Sequence, residues 1–173
     1  MVDNSLAGLL QLAKRFNNFH LAECRATWLP FVCENHQVGL VSPAVLRVLR
    51  HEDQDVFRVD KHQVVFADAL DTYEKRSRAL DRYLRAQRQQ LESASSSSSS
   101  FSSLAGWREE NYEVASSRSA SPLFQVERAA TPILGLRQYG VHINGMVEDR
   151  STTSLWLQVR SRSKQTYPGM LGR

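Results

Sequence analysis

The strongest chemical bias in the chain lies at its C-terminal end. After Asp149 it carries Arg150, Arg160, Arg162, Lys164 and Arg173 and no acidic residue. Cations without counter-charges favour an anion, and a small phosphorylated ligand meets that requirement. Spacing alone leaves a second reading open, a solvated strand end. Nucleic acid is not an expected partner, because aromatic residues do not interleave with these cations as stacking platforms do. His142 and Asn144 stand two apart in an alternating segment and so share a strand face, where a hydrogen-bonded structural pair is the plainer reading than a catalytic one. The five histidines are otherwise scattered, with no two at helical ligand spacing beside a carboxylate cluster, so no protein-bound transition metal is expected.

These groups need a scaffold, and the composition allows one. A chain of 173 residues with 42% hydrophobic content can bury a core for one domain, or for one domain and part of another. The net charge is +4. Cys24 and Cys33 are too few to frame a disulfide scaffold or a zinc site, and both read as small buried apolar residues in a reducing compartment. Asp3 comes early and Lys14 and Arg15 come late, the reverse of a secretory signal. The start also lacks the arginine-rich, acid-free character of a mitochondrial presequence. A cytoplasmic location follows as the expectation, with mitochondrial import the alternative left open, and no run approaches the roughly 20 apolar residues needed to span a membrane. Oligomeric state is left open.

Periodicity supplies the elements. Ser5 can cap a helix in which Leu6, Leu9, Leu10, Ala13 and Phe16 form one apolar stripe, expected to pack on the sheet that follows. Trp28–Val32 and Val38–Val41 read as two strands joined by a turn, with Pro30 pointing to an edge strand or an irregular start. Pro43 suits the first turn of a short helix bearing Val45, Leu46, Val48 and Leu49. Strands are expected over Val56–Val59 and Gln63–Phe66, around a turn at Asp60-Lys61. A long helix is expected to start at Asp71, with Glu74 completing a capping box. Tyr73, Leu80, Leu84 and Leu91 mark its seam, and the six basic residues from Lys75 to Arg88 read as a solvated face.

Residues 95–103, almost all serine, bury too little apolar surface to offset their ordering entropy and read as a flexible loop interrupting a domain. Ordered-looking sequence resumes beyond it with Leu104, Trp107, Tyr112 and Val114, of which Trp107 and Tyr112 read as core anchors. A second polar transition covers Ser116–Pro122. Tyr139–Val147 and Leu155–Val159 then suggest a hairpin or two neighbouring antiparallel strands.

Several stretches together resemble the Nudix hydrolase subfamily related to thiamine pyrophosphokinase fusions. They are Phe124–Ala130, Tyr139–Gly145 and Lys164–Leu171, with Gly106–Tyr112 and the Leu29-Pro30-Phe31 to Val38-Gly39 hairpin resembling the DUF4743-type domain that precedes Nudix in those proteins. The resemblance implies an α+β accessory domain over residues 1–120, built on a small antiparallel or mixed sheet with flanking helices and a serine-rich loop near 93–103. Residues 121–173 would then be the first strands of an incomplete Nudix α/β/α sandwich, with apolar faces and ladder edges exposed.

For the complete enzyme, the resemblance implies magnesium-dependent hydrolysis of organic diphosphates, with damaged thiamin diphosphates and oxidised guanine nucleoside diphosphates such as 8-oxo-dGDP as substrates. A Nudix box sets glutamates on one helix face to hold divalent cations against the diphosphate. The nearest approach here, Arg108-Glu109-Glu110 with Glu113, lacks an upstream acid and has Ala115 and Ser116 where further glutamates should follow. The family places its box beyond the Pro168–Leu171 motif, so this chain is expected to be catalytically inactive and to hold no cofactor of its own. Residues 160–169 also resemble a stretch of isopentenyl diphosphate isomerases in which an arginine and a lysine grip the substrate diphosphate. By that likeness Arg160 and Lys164 are the candidate diphosphate-binding residues.

Overall fold

A computed structural model describes residues 4–16, 27–51, 55–93, 100–141, 143, 145–149, 152–164 and 167–171. The chain divides into two compact units, Met1–Leu136 and Arg137–Arg173. The fold is α+β, as expected.

In the first unit, helix α1 covers Asn4–Phe16. It is followed by strands β1 (Leu29–Cys33) and β2 (His36–Val41), helix α2 (Pro43–His51), strands β3 (Phe57–Val59) and β4 (Val64–Phe66), and the long helix α3 (Tyr73–Ser93). Strands β5 (Asn111–Ala115) and β6 (Pro122–Glu127) complete it. Four strands form a mixed sheet in the order β2-β1-β4-β3, in which only β1 and β4 run parallel; β5 and β6 form a separate antiparallel pair.

The β1–β2 turn consists of Glu34 and Asn35, with φ of 48° and 63°. Two left-handed residues match the right-handed twist of the strands they join, the type I′ solution for a two-residue hairpin. His36 and Gln37, which read as turn residues in the sequence, therefore belong to β2. Pro30 does not mark an edge strand: β1 lies between β2 and β4. It is tolerated because pairing with β4 involves Phe31 and Val32, beyond the proline.

Local chemistry closes the other connections. Ser42 caps α2, its hydroxyl accepting from the Val45 N–H at 3.4 Å, and Pro43 occupies the first helical position. At the β3–β4 turn, Asp60 Oδ1 accepts from the backbone N–H of His62 and Gln63 at 2.6 and 2.8 Å, and those donors hold its carboxyl below the usual carboxylate range. At the start of α3, Thr72 is the cap: its hydroxyl accepts from the Lys75 N–H at 3.3 Å. Asp71, expected there, instead pairs with the Lys75 ammonium at 2.7 Å.

Phe31, Phe57, Phe66 and Phe124 form the centre of one core, their ring centroids 5.0–5.8 Å apart, and Tyr83 of α3 meets Phe57 edge-on. Such pairs add about 0.5–1.5 kcal/mol each beyond their area burial. Trp107 is buried and Tyr112 is half-buried against the same core, as expected of these two anchors, and Val114 is buried as well. Phe101 is also buried, against Tyr83, and begins a short 3-10 turn through Gly106. Order thus resumes within the expected loop, because one aromatic anchor outweighs the entropy of the few serines around it. Residues 94–99 lie outside the described residues.

Helix α1 does not meet the expectation of a buried stripe: Leu9, Leu10 and Ala13 are exposed, and no described α1 side chain enters the core. The boundary expected at residue 120 falls inside the β5–β6 hairpin. Leu123, Phe124 and Val126 join the first core, as do Ile133, Leu134 and Leu136, so the first unit continues to Leu136. The segment after β6 also shields the outer edge of β2, where the Leu40 N–H donates to Gly135 O at 3.1 Å.

In the second unit, β7 (Met146–Asp149) and β8 (Thr152–Leu155) form an antiparallel hairpin, but not where alternation placed it: the strands use Glu148, Asp149 and Thr152–Ser154 of the expected turn and share only Met146, Val147 and Leu155 with the expected strands. Trp156, Leu157, Val159, Met170 and Leu171 are exposed.

Candidate anion-binding site

Several charged side chains of the first unit help to hold it together. Glu127 is buried, and its carboxylate accepts from three backbone N–H groups, those of Arg108, Glu110 and Ala129, at 3.0–3.2 Å. Three donors satisfy a carboxylate whose burial would otherwise be costly. Arg85 forms a fork to Glu109 at 3.1 and 3.0 Å, also bonds Asp81, and lies 4.9 Å from the centre of the Trp107 ring; Arg88 approaches the same ring at 5.4 Å. The Arg85 hydrogen bonds hold the Glu109 carboxyl below its ordinary range. Glu110 pairs with Arg128 at 2.7 Å.

The cluster Arg108-Glu109-Glu110 with Glu113 therefore sits on a turn and a strand, and its first two glutamates neutralise arginines. Among the described residues no three His, Cys, Asp or Glu side chains gather where a metal ion could be held. The described residues thus gather no carboxylate set like the glutamate face of a Nudix box. The Gly106–Tyr112 motif serves as a clamp between α3, β5 and β6.

Cys33 is a free, buried thiol whose pKa burial pushes up to about 11. Its proton is retained in the folded chain until well above the unfolded value, so the associated stability is present below pH 9 and is lost as pH rises towards 11. Iodoacetamide at pH 8 should leave Cys33 unmodified in native protein and alkylate it after denaturation. Rapid labelling of native Cys33, read by peptide mass, would show that the thiol is accessible. Cys24 lies outside the described residues.

The two candidate diphosphate-binding residues belong to one loop of the second unit. Val159 and Leu171 form an antiparallel bridge at its base. Arg160 is fixed there by two backbone bonds, its N–H donating to Met170 O at 2.7 Å and its carbonyl accepting from Gly169 N–H at 3.1 Å. A turn follows, closed by the Lys164 N–H donating to Ser161 O at 3.2 Å. The loop returns through Tyr167 and Gly169, with φ of 51° and 69°.

The loop thus carries Arg160, Arg162 and Lys164 on exposed positions with no acidic residue from Arg150 onward. It offers a planar fork of donors, a second guanidinium and a compact ammonium, a set able to bind an anion. It supplies no carboxylate to activate a nucleophile. Family likeness points to Arg160 and Lys164; Arg162 belongs to the same acid-free basic end, and Ser161 and Ser163 alternate with these cations. His142 and Asn144 lie outside the described residues, as do Gln165 and Thr166.

An α+β unit closed near residue 136, followed by a separate hairpin and a basic loop, is the class that the fold and the site define. The chain belongs to the DUF4743 family, described as a domain of unknown function, whose profile matches residues 8–138. It is 32% identical over 170 residues to Nudix hydrolase 24, chloroplastic, of Arabidopsis thaliana, and 33% identical over 178 residues to Nudix hydrolase 20, chloroplastic, of the same plant. Each alignment covers 97% of this chain but 43% and 44% of the respective relative, so the chain spans less than half the length of either. An uncharacterized protein of Saccharomyces cerevisiae is 34% identical over 120 residues, covering 68% of this chain and 32% of that protein.

Proposed function

We propose that this chain is the N-terminal portion of a Nudix-type hydrolase of organic diphosphates, and that by itself it binds a diphosphate without cleaving it. The observation that carries this reading is the alignment of 97% of the chain with less than half of two proteins named Nudix hydrolases. The basic loop supports the binding half: Arg160 and Lys164 would hold the diphosphate, the arginine as a fork and the lysine as a point charge. The role of Glu109, Glu110 and Glu127 in the first unit's framework supports the non-catalytic half. In the whole enzyme, magnesium would neutralise the diphosphate oxygens, and damaged thiamin diphosphates or oxidised guanine nucleoside diphosphates such as 8-oxo-dGDP would be the substrates.

The 173-residue chain, incubated with magnesium and either substrate class, should release no phosphate above background. Sustained turnover would sink the reading. Calorimetry with inorganic diphosphate should detect binding that weakens on raising the salt, since the contacts are exposed and screened. Replacing Arg160 and Lys164 together by glutamine should weaken it roughly tenfold or more, the equivalent of about 1.4 kcal/mol. Unchanged affinity would remove those residues from the site.

A second reading, a non-catalytic module that recognises a partner, is favoured by the self-contained core of the first unit. Its prediction is saturable capture of a separately expressed Nudix catalytic domain by this chain. The compartment expected from the sequence is the cytosol, whereas the plant relatives are named chloroplastic. Among the described residues no helix is long and apolar enough to cross a membrane. Imaging of a fluorescently tagged chain separates the two locations.

A further inference from the structure

We propose that Ser163 is a phosphorylation site, and that its phosphate folds onto the cations around it and closes the loop to other anions. The inference rests on the diphosphate-binding role given to Arg160 and Lys164, and concerns the regulation of that site.

The geometry favours modification here. Ser161 and Ser163 stand on an exposed turn between Arg160 and Lys164, with Arg162 between them. Their hydroxyl oxygens are 2.8 Å apart, and Ser161 Oγ also accepts from the Ser163 N–H at 3.2 Å. The Ser161 oxygen thus helps to hold the turn, whereas Ser163 Oγ bonds only its neighbour's hydroxyl among the hydrogen bonds seen at this turn. The loop base is tied by the Arg160–Met170 and Gly169–Arg160 bonds, so an enzyme could engage the tip without dismantling a packed core. Arginine three residues before and one residue before Ser163, with lysine directly after it, suits a protein kinase with an acidic substrate cleft.

In the transfer step, Ser163 Oγ attacks the terminal phosphorus of a nucleoside triphosphate. The Oγ–P bond forms and the bond from that phosphorus to its bridging oxygen breaks. Nucleoside diphosphate departs, and the hydroxyl proton passes to the kinase's base. The product carries about −1.5 to −2 charges and three acceptor oxygens, enough for one to three charge-assisted hydrogen bonds to cations of this loop such as Arg162 and Lys164. A diphosphate approaching the same loop would then meet like charge.

The test uses the full 173-residue chain, an arginine-directed serine kinase and magnesium ATP. Fragment masses should place one phosphate on Ser163, and Ser163→Ala should abolish it. Phosphorylation confined to Ser119, Ser121 or the 95–103 tract, or none at all, overturns the proposal. Phosphorus NMR of the modified chain should show the phosphoserine titrating below its ordinary midpoint of about 6. The Lys164→Gln variant, which keeps the two arginines that the kinase reads, should raise that midpoint, and an unchanged midpoint would refute the folded-back phosphate. Inorganic diphosphate should bind the modified chain roughly tenfold or more weakly than the unmodified one. Equal binding would refute the closing of the loop. If the unmodified chain binds no diphosphate, the function proposed for Arg160 and Lys164 falls, while modification and titration still judge the phosphorylation independently.

Discussion

Replacing Gly135 by alanine should lower the stability of the first unit by about 2–5 kcal/mol. Gly135 has a φ of +57°, and a Cβ built there would lie 1.9 Å from the backbone oxygen of Leu40. The left-handed conformation alone costs an L-residue about 1–2 kcal/mol, and overpacking adds about 1–3 kcal/mol. Here the obstacle is backbone, which cannot rotate away as a side chain can. Relief would require moving the 131–136 segment off β2, breaking the Leu40–Gly135 hydrogen bond and unseating Leu134 and Leu136. Gly39 faces the same seam, with a Cβ position 2.3 Å from Leu134 O, so Gly39→Ala should be damaging as well. Gly140, with nothing within 4 Å, is the control and should change stability by less than about 0.5 kcal/mol on the same substitution. Urea unfolding followed by tryptophan fluorescence measures all three. A midpoint for Gly135→Ala equal to that of Gly140→Ala would show that the seam between β2 and the 131–136 segment does not form.

The second large effect belongs to Arg76. Its side chain is buried and joins three parts of the first unit. Nε donates to Leu70 O at 3.0 Å, Nη2 to Asp71 O at 2.9 Å, and Nη1 both to Leu123 O at 3.1 Å and to the Glu34 carboxylate at 2.7 Å. Glu34 is about half exposed, so solvent screens that ion pair and the carbonyl contacts carry more of the effect. Arg76→Ala leaves Leu123 O without this donor and opens a hollow beneath α3, at a cost of about 3 kcal/mol. Arg76→Lys should restore little of it, because one ammonium cannot reach carbonyls arranged around a planar fork. Both variants should unfold at lower denaturant with an unchanged slope. A loss under about 1 kcal/mol in Arg76→Ala would mean that the arginine is dispensable to the α3–β6 join.

Arg76 also shows where reading the sequence stops. By itself the sequence determined the α+β composition, the β1–β2 and β3–β4 hairpins, the Pro43 helix and the long helix beginning near residue 73. Each depends on signals a few residues apart: alternation, helical spacing, a proline at a first turn, an Asp at a tight turn. It also carried the family motifs and the basic end with Arg160 and Lys164, which are matters of residue type and order.

Tertiary structure decided the rest. Six basic residues of α3 look alike in sequence, yet Arg76 is buried because Leu123, 47 positions along the chain, supplies a carbonyl in its path. The β6 edge is met in the same way, the Gln125 N–H donating to the Ser77 hydroxyl at 3.0 Å, so a serine that looked incidental holds a strand to a helix. Polar Ser116–Pro122 reads equally well as a domain boundary or a hairpin loop, and only the pairing of β5 with β6 selects the loop. Which side chains are buried depends on partners brought close by the fold, and local periodicity carries no record of those partners.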